Sequence, residues 1–445
     1  MQVSKSIYFL FLFGGCIFYH KAHAQTYTPD QLKDSAAKNY RPLAIKDWQV
    51  REKNAKINED KIKRYPSATL NAGYQYNFIL GELSVPAGAI GKIPTSPTTA
   101  VLLPNVDTSF HIGEHHNYNA GITFYQPLTQ QAKIRTGLQV GATDVLLAEK
   151  DKQKLVLQVN QAIDKLYYGI LITQKQLEEA GAKLALAKSK LEDVDNALLA
   201  GKTLEANREG LLANIADEEQ NILKLTLQKQ DYLGDLQTLT GIETSNIQLQ
   251  EAGFNESAAG NAETYKNRAA TANPDLQIAG LNKTKAELGI KATRQSNVPD
   301  VGLVAGYAYQ TGNPILPPNN PFVGLNLKWD FQSLFTNKEL MRQRQYQLKQ
   351  AEENILYTQE QLANDIDKAY RKLIQSQALI AVAKKAVAYR RAELKIQEDK
   401  QAAGFNIQTD ILTTKASLAK AEADSYGAQL QYLLALSEMK LLTGE

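Results

Sequence analysis

The residues best suited to bind a metal ion lie together in the stretch "HIGEHH", at 111–116. It contains His111, Glu114, His115 and His116, and imidazole and carboxylate groups are common ligands of transition metals. Their spacing matches no standard metal motif, and the preceding segment is rich in Gly, Pro, Ser and Thr, as exposed loops are. We therefore expect no metal site and no cofactor.

Motifs for catalysis are absent from the rest of the sequence. There is no GxSxG, HExxH or P-loop, and no GxGxxG in a usable context. Adjacent carboxylates such as Glu178 and Glu179 fall on the polar faces of predicted helices. The formal net charge is only +3, with no basic cluster, which argues against nucleic-acid binding. We expect a protein that is not an enzyme.

The N-terminus has the features of a secretory signal peptide. Lys5 precedes a short apolar run at 7–19, and Ala22-His23-Ala24 supplies the small residues of a cleavage site, which predicts a signal peptide at 1–24. The single cysteine, Cys16, has two interpretations: a lipidation site after "FGG", or a residue of the signal core that is discarded. The second is favoured, because the apolar run continues past Cys16.

A long internal repeat divides the remaining sequence. Ile-Asp-Lys-x-Tyr occurs at 163–167 and again 203 residues later, at 366–370. The same offset relates Ala200-Gly201 to Ala403-Gly404 and Leu239-Thr240-Gly241 to Leu442-Thr443-Gly444. We predict a first structural repeat at 25–241 and a second at 242–445.

Each repeat contains a long amphipathic helix and a shorter return helix. Apolar residues between 159 and 198 recur at alternating spacings of four and three, and the pattern returns in the second repeat. A helix of ~130–199 would be about 100 Å long at ~1.5 Å per residue, so it must lie along neighbouring helices as a coiled coil. The Ile-Asp-Lys-x-Tyr copies are expected to pack Ile163 and Ile366 inward, with their charges outside.

Four segments have the period of β-strands: ~67–78, ~117–126, ~301–310 and ~322–331. In each, apolar residues recur at every second position over about ten residues and so share one face, as in a strand between lipid and water. Seven aromatic residues are predicted to face lipid: Tyr74, Tyr76, Phe78, Phe124, Tyr307, Tyr309 and Trp329. The first repeat carries about 30 extra residues within 81–116, which we predict to form an exposed loop.

Four such strands are too few for a closed barrel, because single-chain membrane barrels begin at eight strands. An open sheet edge in lipid would leave backbone groups unpaired. Several copies of the chain must therefore share one barrel, and three copies supply twelve strands. The predicted fold class is α plus membrane β: long coiled-coil helices form a periplasmic α-barrel, and four strands per chain join a trimeric 12-stranded β-barrel, which the resemblance described next implies to lie in the outer membrane.

The order of these elements, the repeat, and the stretches "NALLAGKTLEANREGLLANI" and "KQAAGFNIQTDILTTKASLAKAE" resemble the TolC-type outer-membrane efflux protein family. The resemblance covers essentially the whole chain after the signal peptide. It implies a homotrimer in the outer membrane of a Gram-negative bacterium, with a large periplasmic portion. It also implies an entrance gated at the helical tips, a periplasmic adaptor protein and an inner-membrane pump as partners, and contact with outer-membrane lipid.

The resemblance also assigns residues to the tips and the gate. Gly201 and Lys202, with Gly404 and Phe405, would form the tip turns that contact an adaptor. Asp410 matches the first acidic position of the entrance constriction; its alternative is a helix N-cap or a solvated carboxylate. The second acidic position is Thr413 here, and the Gly-rich turn that the family has after its second and fourth strands is replaced by "QPLTQQAK" and "FQSLFTNK".

The function that follows is a passive exit duct of a tripartite efflux pump or of a type I secretion system. The alternative is a secreted or periplasmic coiled-coil protein with a structural or adhesive role. The strands with opposed polar and apolar faces argue against the alternative, because a soluble stalk has no use for aromatic residues that face lipid.

Overall fold

The computed structural model describes residues 26–97, 99–244, 247–251, 260–312, 317–405 and 408–445. The predicted signal peptide and Cys16 lie outside these residues. None of the described helices has a stretch that is both long and apolar enough to cross a membrane.

The described elements alternate between short strands and helices of very different lengths. In chain order they are β1 (Thr26–Tyr27), α1 (Pro29–Asn39), α2 (Arg41–Ile62), β2 (Ser67–Tyr76), β3 (Gly81–Val85), β4 (Gly91–Ser96), β5 (Thr99–Leu103), β6 (Thr108–Ile112), β7 (His116–Pro127), α3 (Gln131–Leu199), α4 (Glu205–Thr240), β8 (Gln248–Leu249), α5 (Ala262–Ala272), α6 (Pro274–Ser296), β9 (Asp300–Gln310), β10 (Asn319–Lys328), α7 (Phe331–Ala402) and α8 (Gln408–Thr443). The predicted long helices and return helices are confirmed.

The chain forms two compact units. The first, here called the helical unit, takes its described residues from Met1–Arg41, Val156–Ala262 and Ile366–Leu441. The second, the strand unit, takes its described residues from Pro42–Leu155, Glu263–Asp365 and Leu442–Glu445. Each unit takes segments from both predicted sequence repeats. The repeat boundaries at 25–241 and 242–445 are a statement about sequence similarity, and they stay a prediction.

Helix α1 begins the helical unit and is fixed at both ends. Thr28 and Gln31 form a capping box, in which the Gln31 N–H donates to the Thr28 hydroxyl and the Thr28 N–H donates to the Gln31 side chain. Near the other end, Ser35 and Asn39 donate hydrogen bonds to the Thr240 carbonyl, at 3.0 and 2.9 Å. These contacts hold α1 on the last turn of α4.

The repeated Ile-Asp-Lys-x-Tyr phrase has a different environment from the one expected. Asp164 is only 6% exposed, lies 2.7 Å from the Lys33 ammonium of α1, and accepts a 2.5 Å hydrogen bond from Ser437 of α8. The expectation that its charge lies outside is therefore wrong. A heptad pattern cannot show that α1 brings a lysine to this position, and it is the lysine that makes a buried carboxylate tolerable.

Tyr167, one turn after Asp164, is fully buried. Its hydroxyl donates a 2.5 Å hydrogen bond to the Gln250 carbonyl and lies 3.3 Å from the Tyr27 carbonyl. These two carbonyls belong to the chain segments of the small parallel pair β1–β8. Burial raises the pKa of Tyr167 to about 12, so the hydroxyl keeps its proton and remains a donor at physiological pH.

The long helices of the helical unit pack through small residues and aromatic rings. Leu373 and Ile380 of α7 pack with Ala428, Tyr432 and Ala435 of α8 in one buried cluster. Such an apolar seam is what the alternating spacing of three and four predicts.

The strand unit contains one four-stranded antiparallel sheet in the order β10-β9-β7-β2. Residues that pair directly across the strands share a face, so Leu70, Ile122 and Tyr307 lie on one side. The opposite side is mainly polar, with Thr69, Asn71, Gln75, Asn119, Thr123 and Asn326. The predicted period-two strands are thus confirmed.

Aromatic rings on the polar side lie flat against glycines. A Cβ on Gly302 would overlap the Tyr125 ring, and a Cβ on Gly306 would lie 2.7 Å from Cζ of Phe322. Gln130 holds the Tyr125 hydroxyl at 3.2 Å. The glycines therefore provide the space in which these rings rest along the sheet.

The 81–116 insertion, predicted to be an exposed loop, is largely exposed and is built mainly of short strands. β3 pairs with β6, and β4 pairs with β5. β3 follows β2, and β6 precedes β7. A short interruption separates the pair β2–β7 from the pair β3–β6, and within it the Asn77 N–H donates to the His115 carbonyl. Each strand of the insertion has only five or six residues, too few for a period-two pattern to stand out in a sequence rich in Gly and Pro.

The last strand ends earlier than predicted. β10 ends at Lys328, and α7 begins at Phe331, which the sequence pattern had placed in the strand. The Asp330 carboxylate accepts a 3.0 Å hydrogen bond from the Gln332 N–H and so satisfies a free donor of the first helical turn. The local cap thus overrides the alternation that continues through Trp329 and Phe331.

We expect Asp164→Ala to lower the free energy of unfolding by roughly 3 kcal/mol, because it leaves the partly buried ammonium of Lys33 with only the exposed carboxylate of Asp30, 3.9 Å away. The measurement is denaturation of the detergent-solubilised protein, followed by circular dichroism. Asp47→Ala is the matched control, since it breaks the half-exposed Lys152–Asp47 pair (2.6 Å) and should cost less than about 1 kcal/mol. Equal losses in the two variants would contradict the anchoring role of Asp164.

Candidate functional site

The helical hairpins of the helical unit end in two turns with the same backbone geometry. Gly201 follows α3 with φ of 63°, and Gly404 follows α7 with φ of 78°. In the first turn the Lys202 N–H bonds the Ala197 carbonyl at 2.9 Å, and in the second the Phe405 N–H bonds the Lys400 carbonyl at 3.0 Å. Both turns are Schellman motifs, in which a left-handed glycine ends the helix.

The side chains at these turns are open to solvent. Lys202 and Phe405, which occupy equivalent positions, are both exposed. Leu199 and Leu204, on either side of the first turn, are also exposed. Large exposed apolar side chains grouped at one turn are suited to contact with a protein partner.

Asp410 lies in the first turn of α8, which begins at Gln408, and its side chain is exposed. It is therefore not the N-cap residue, one of the alternatives from the sequence, although a carboxylate in a first turn is stabilised by the helix dipole. The hydroxyl of Thr413 donates to the Thr409 carbonyl at 2.8 Å. The Thr413 hydroxyl is thus hydrogen-bonded within its own helix.

A contact that the sequence did not predict ties α8 to α3. The Thr409 hydroxyl donates a short hydrogen bond to the Asp193 carboxylate and lies 3.3 Å from the Ser189 hydroxyl. Ile411, next along α8, is buried. The first turn of α8, which presents Asp410, is therefore held against the last turns of α3.

A second contact ties α4 to the same end of α3. Arg208 Nε donates to Asp195 Oδ1 at 2.9 Å, and its guanidinium lies 3.6 Å from Glu205 and 3.2 Å from Glu209. The bond to Asp195 is the largest cause of a raised pKa for Arg208, so the side chain stays charged. Asp193 and Asp195 thus bind one return helix each.

These tip contacts left little signal in the sequence. Heptad spacing shows which face of a helix is apolar, but Asp193 and Asp195 lie on the polar face, where any charged residue is acceptable. Only Thr409, next to Asp410, and Arg208, in the first turns of α4, could have indicated them.

A groove of about 960 Å³ lies along α8 between α3 and α7 in the helical unit. Its charged lining residues carry both signs: Glu179, Arg390, Lys420 and Asp424. Glu179 is paired at 2.6 Å with Lys183, whose pKa is raised mainly by that hydrogen bond. The groove therefore has no convergent set of groups that would perform a reaction.

In the strand unit, the seven aromatic residues predicted to face lipid are all exposed. Five of them lie on the apolar face of the sheet: Tyr74, Tyr76, Phe124, Tyr307 and Tyr309. The other two, Phe78 and Trp329, follow the ends of β2 and β10.

The histidines of "HIGEHH" contact neighbouring groups of the strand unit. His115 Nδ1 lies 2.7 Å from the Asn77 carbonyl oxygen, and His116 Nδ1 lies 3.0 Å from the Tyr74 hydroxyl. Within the described part of the chain, no three His, Cys, Asp or Glu residues are placed to hold a metal ion.

Comparison with known proteins supports one class. Residues 266–445 match the family model described as Outer membrane efflux protein. No curated protein matches the sequence.

Solved structures share the fold at low sequence identity. The Campylobacter jejuni CmeC outer membrane channel has 14% identity and a TM-score of 0.72, with 100% of this chain and 93% of that chain covered. The outer membrane protein VceC from Vibrio cholerae has 14% identity and a TM-score of 0.69, with 93% and 96% covered. The Neisseria gonorrhoeae MtrE outer membrane channel in its open state has 14% identity and a TM-score of 0.65, with 94% and 88% covered.

The family match and the shared fold agree with the absence of catalytic motifs, since the matched class consists of channels rather than enzymes. The family model and the solved structures both describe proteins of the outer membrane. The predicted resemblance is confirmed: the chain is similar to the TolC-type outer-membrane efflux proteins, in sequence over residues 266–445 and in fold over its whole length.

Proposed function

We propose that the chain is one subunit of a homotrimeric channel-tunnel that serves as the exit duct of a tripartite efflux pump or of a type I secretion system. The observation that carries this proposal is the four-stranded sheet, which has one exposed apolar face, one polar face and two open edges, β2 and β10. An apolar face of this size in contact with water would be strongly unfavourable, whereas lipid accommodates it.

The open edges support assembly of several copies. Each unpaired backbone group costs several kcal/mol in hydrocarbon, so β10 of one copy must pair with β2 of the next. Three copies give twelve strands around an interior that holds water, with Asn71, Gln75, Asn119 and Asn326 on the inner side. Pump energy drives the cargo, and this chain supplies the path.

The contacts at the helical tips support a gate. Thr409 holds the first turn of α8 on Asp193 of α3, and this turn presents Asp410. In a trimer, three copies of Asp410 near the axis would attract cations at the narrowest point. Opening would require the Thr409–Asp193 bond to break while the rest of α8 remains packed.

The adaptor is proposed to meet the two tip turns. Gly201 and Gly404 set the backbone, and Lys202 and Phe405 offer one cationic and one aromatic side chain to the partner. An exposed aromatic residue at a turn is the type of side chain that becomes a hot spot when a partner buries it.

Leu325→Lys tests the membrane role of the sheet. The lysine would enter lipid at a cost of about 2–4 kcal/mol near the bilayer midplane, so we expect little assembled protein in the outer-membrane fraction. Asn326→Lys, one residue further along β10 on the polar face, should assemble normally. Soluble recovery of the wild-type protein without detergent, or equal behaviour of the two variants, would favour the coiled-coil structural or adhesion role.

Asp410→Asn tests the selectivity of the entrance. We expect a reduced preference for cations in single-channel currents across planar bilayers, because three negative charges are removed near the axis. Asp231→Asn, which neutralises an exposed carboxylate of α4, is the control. An unchanged reversal potential in Asp410→Asn would place Asp410 outside the constriction.

Thr409→Val tests the closed state. The substitution keeps the β-branched shape and removes the hydroxyl that binds Asp193, so we expect larger or longer openings and greater cell sensitivity to bulky antibiotics. In Thr413→Val the lost hydroxyl bonds only within α8, and conductance should stay at the wild-type level. Wild-type conductance in both variants would show that the Thr409–Asp193 bond does not hold the gate.

A further inference from the structure

The first turns of α7 carry an exposed apolar stripe. Phe331 is 60% exposed, Leu334 38% and Phe335 82%. Residues three and four apart lie on the same side of a helix, so these three side chains form one surface with Lys338 and Arg342. These five residues are here called the α7 stripe. Such a surface costs free energy in water unless something covers it.

The side of α7 that packs within the strand unit is a different one. Asn337 is buried, and its amide donates to the Thr293 carbonyl of α6 at 3.2 Å and to the Asn297 side chain. Asn337 lies about 120° around the helix from the centre of the stripe, at 100° per residue. The stripe is therefore not the surface by which α7 is held on α6.

The stripe continues the apolar face of β10. Val323, Leu325 and Leu327 are exposed on that face, and Trp329 follows them. The rings of Trp329 and Phe331 are 4.8 Å apart between centroids. Asp330, between them, uses its carboxylate to cap the helix. The exposed apolar residues of the last strand are thus followed directly by the paired aromatic rings at the start of α7.

Two cations follow the aromatic residues on the same stripe. Lys338 and Arg342 are exposed, and they lie about 5 Å and about 10 Å beyond Phe335 along the helix axis, at ~1.5 Å per residue. Arg342 also pairs with Glu339 at 2.8 Å, so Lys338 is the stronger source of uncompensated charge. Along the chain, the apolar strand is therefore followed first by the aromatic residues of the first helical turns and then by the two cations.

The first repeat shows that the fold does not require this stripe. At the offset of 203, the positions of Phe331, Leu334, Phe335, Lys338 and Arg342 are occupied by Leu128, Gln131, Ala132, Arg135 and Gln139. α3 begins at Gln131, one turn later than α7 by this alignment. A helix can therefore follow the strand without exposed phenylalanines.

We propose that the α7 stripe is an anchor that binds phospholipid headgroups of the periplasmic leaflet. Its aromatic residues lie at the border of the hydrocarbon, where aromatic side chains are favoured. Lys338 and Arg342 reach the phosphates, with preference for anionic lipid, while their aliphatic stems cover apolar surface. The inference uses the outer-membrane location, but not the gate, the number of copies or the pump.

Fluorescence of Trp329 tests the depth of the anchor. The chain has two tryptophans, so Trp48→Phe leaves Trp329 as the only reporter. The full chain is reconstituted into vesicles that contain lipids brominated either near the headgroup or near the end of the acyl chain. We expect stronger quenching by the bromines near the headgroup. Stronger quenching by the deep bromines, or none by either, would overturn the proposal; the second result would show that protein, such as another copy, covers the stripe.

Lipid preference is tested with Lys338→Gln in vesicles of phosphatidylethanolamine and phosphatidylglycerol. Each basic residue near an anionic surface strengthens binding about fivefold, so we expect phosphatidylglycerol retention to weaken by roughly that factor, as measured by native mass spectrometry. Lys385→Gln, which removes an exposed cation of α7 outside the stripe, should retain lipid as the wild type does. Wild-type retention in Lys338→Gln, or equal loss in both variants, would overturn the headgroup contact.

Discussion

A backbone amide in hydrocarbon must find its hydrogen-bond partner within protein, and most of this chain's design follows from that constraint. The sheet satisfies its two inner strands but leaves β2 and β10 with one unpaired side each. A chain of four membrane strands is therefore incomplete by itself. Its apolar and polar faces are useful only when the strands close a ring, which makes assembly a condition of the proposed duct.

The helical unit depends on a different interaction, the buried pair of Asp164 and Lys33. It joins α1 to α3, while Ser437 joins α8 to the same carboxylate. In the second repeat, Asp367 corresponds to Asp164 at the offset of 203. Lys266 corresponds to Lys33 at an offset of 233, because the roughly 30 extra residues of the first repeat lie between Lys33 and Asp164. A charge pair inside a helical layer adds directional specificity that apolar seams lack, because a seam of alanines and leucines tolerates sliding.

Periodicity was sufficient to predict the strands, the long helices and the glycine turns, because each follows from local sequence. It could not identify contacts between helices distant in the chain, such as Thr409 with Asp193 or Tyr167 with Gln250. It also misplaced the start of α7, where the Asp330 cap decides the boundary. It did not reveal the strands within the insertion, because strands of five or six residues carry too little pattern. The exposed Phe335 is the kind of feature that only a three-dimensional structure separates from core residues.

In the proposed duct, the glycines on the polar face of the sheet determine how far the neighbouring aromatic rings extend into the interior. Tyr125 and Phe322 are the bulkiest side chains there, and each lies along the wall because Gly302 and Gly306 have no Cβ. A side chain at Gly302 would displace the aromatic ring of Tyr125 towards the interior of the proposed barrel, and it would do so in each subunit. In the proposed duct, the cross-section open to cargo would thus depend on residues that have no side chain, and selection for large cargo would act on them rather than on the polar groups that line the wall.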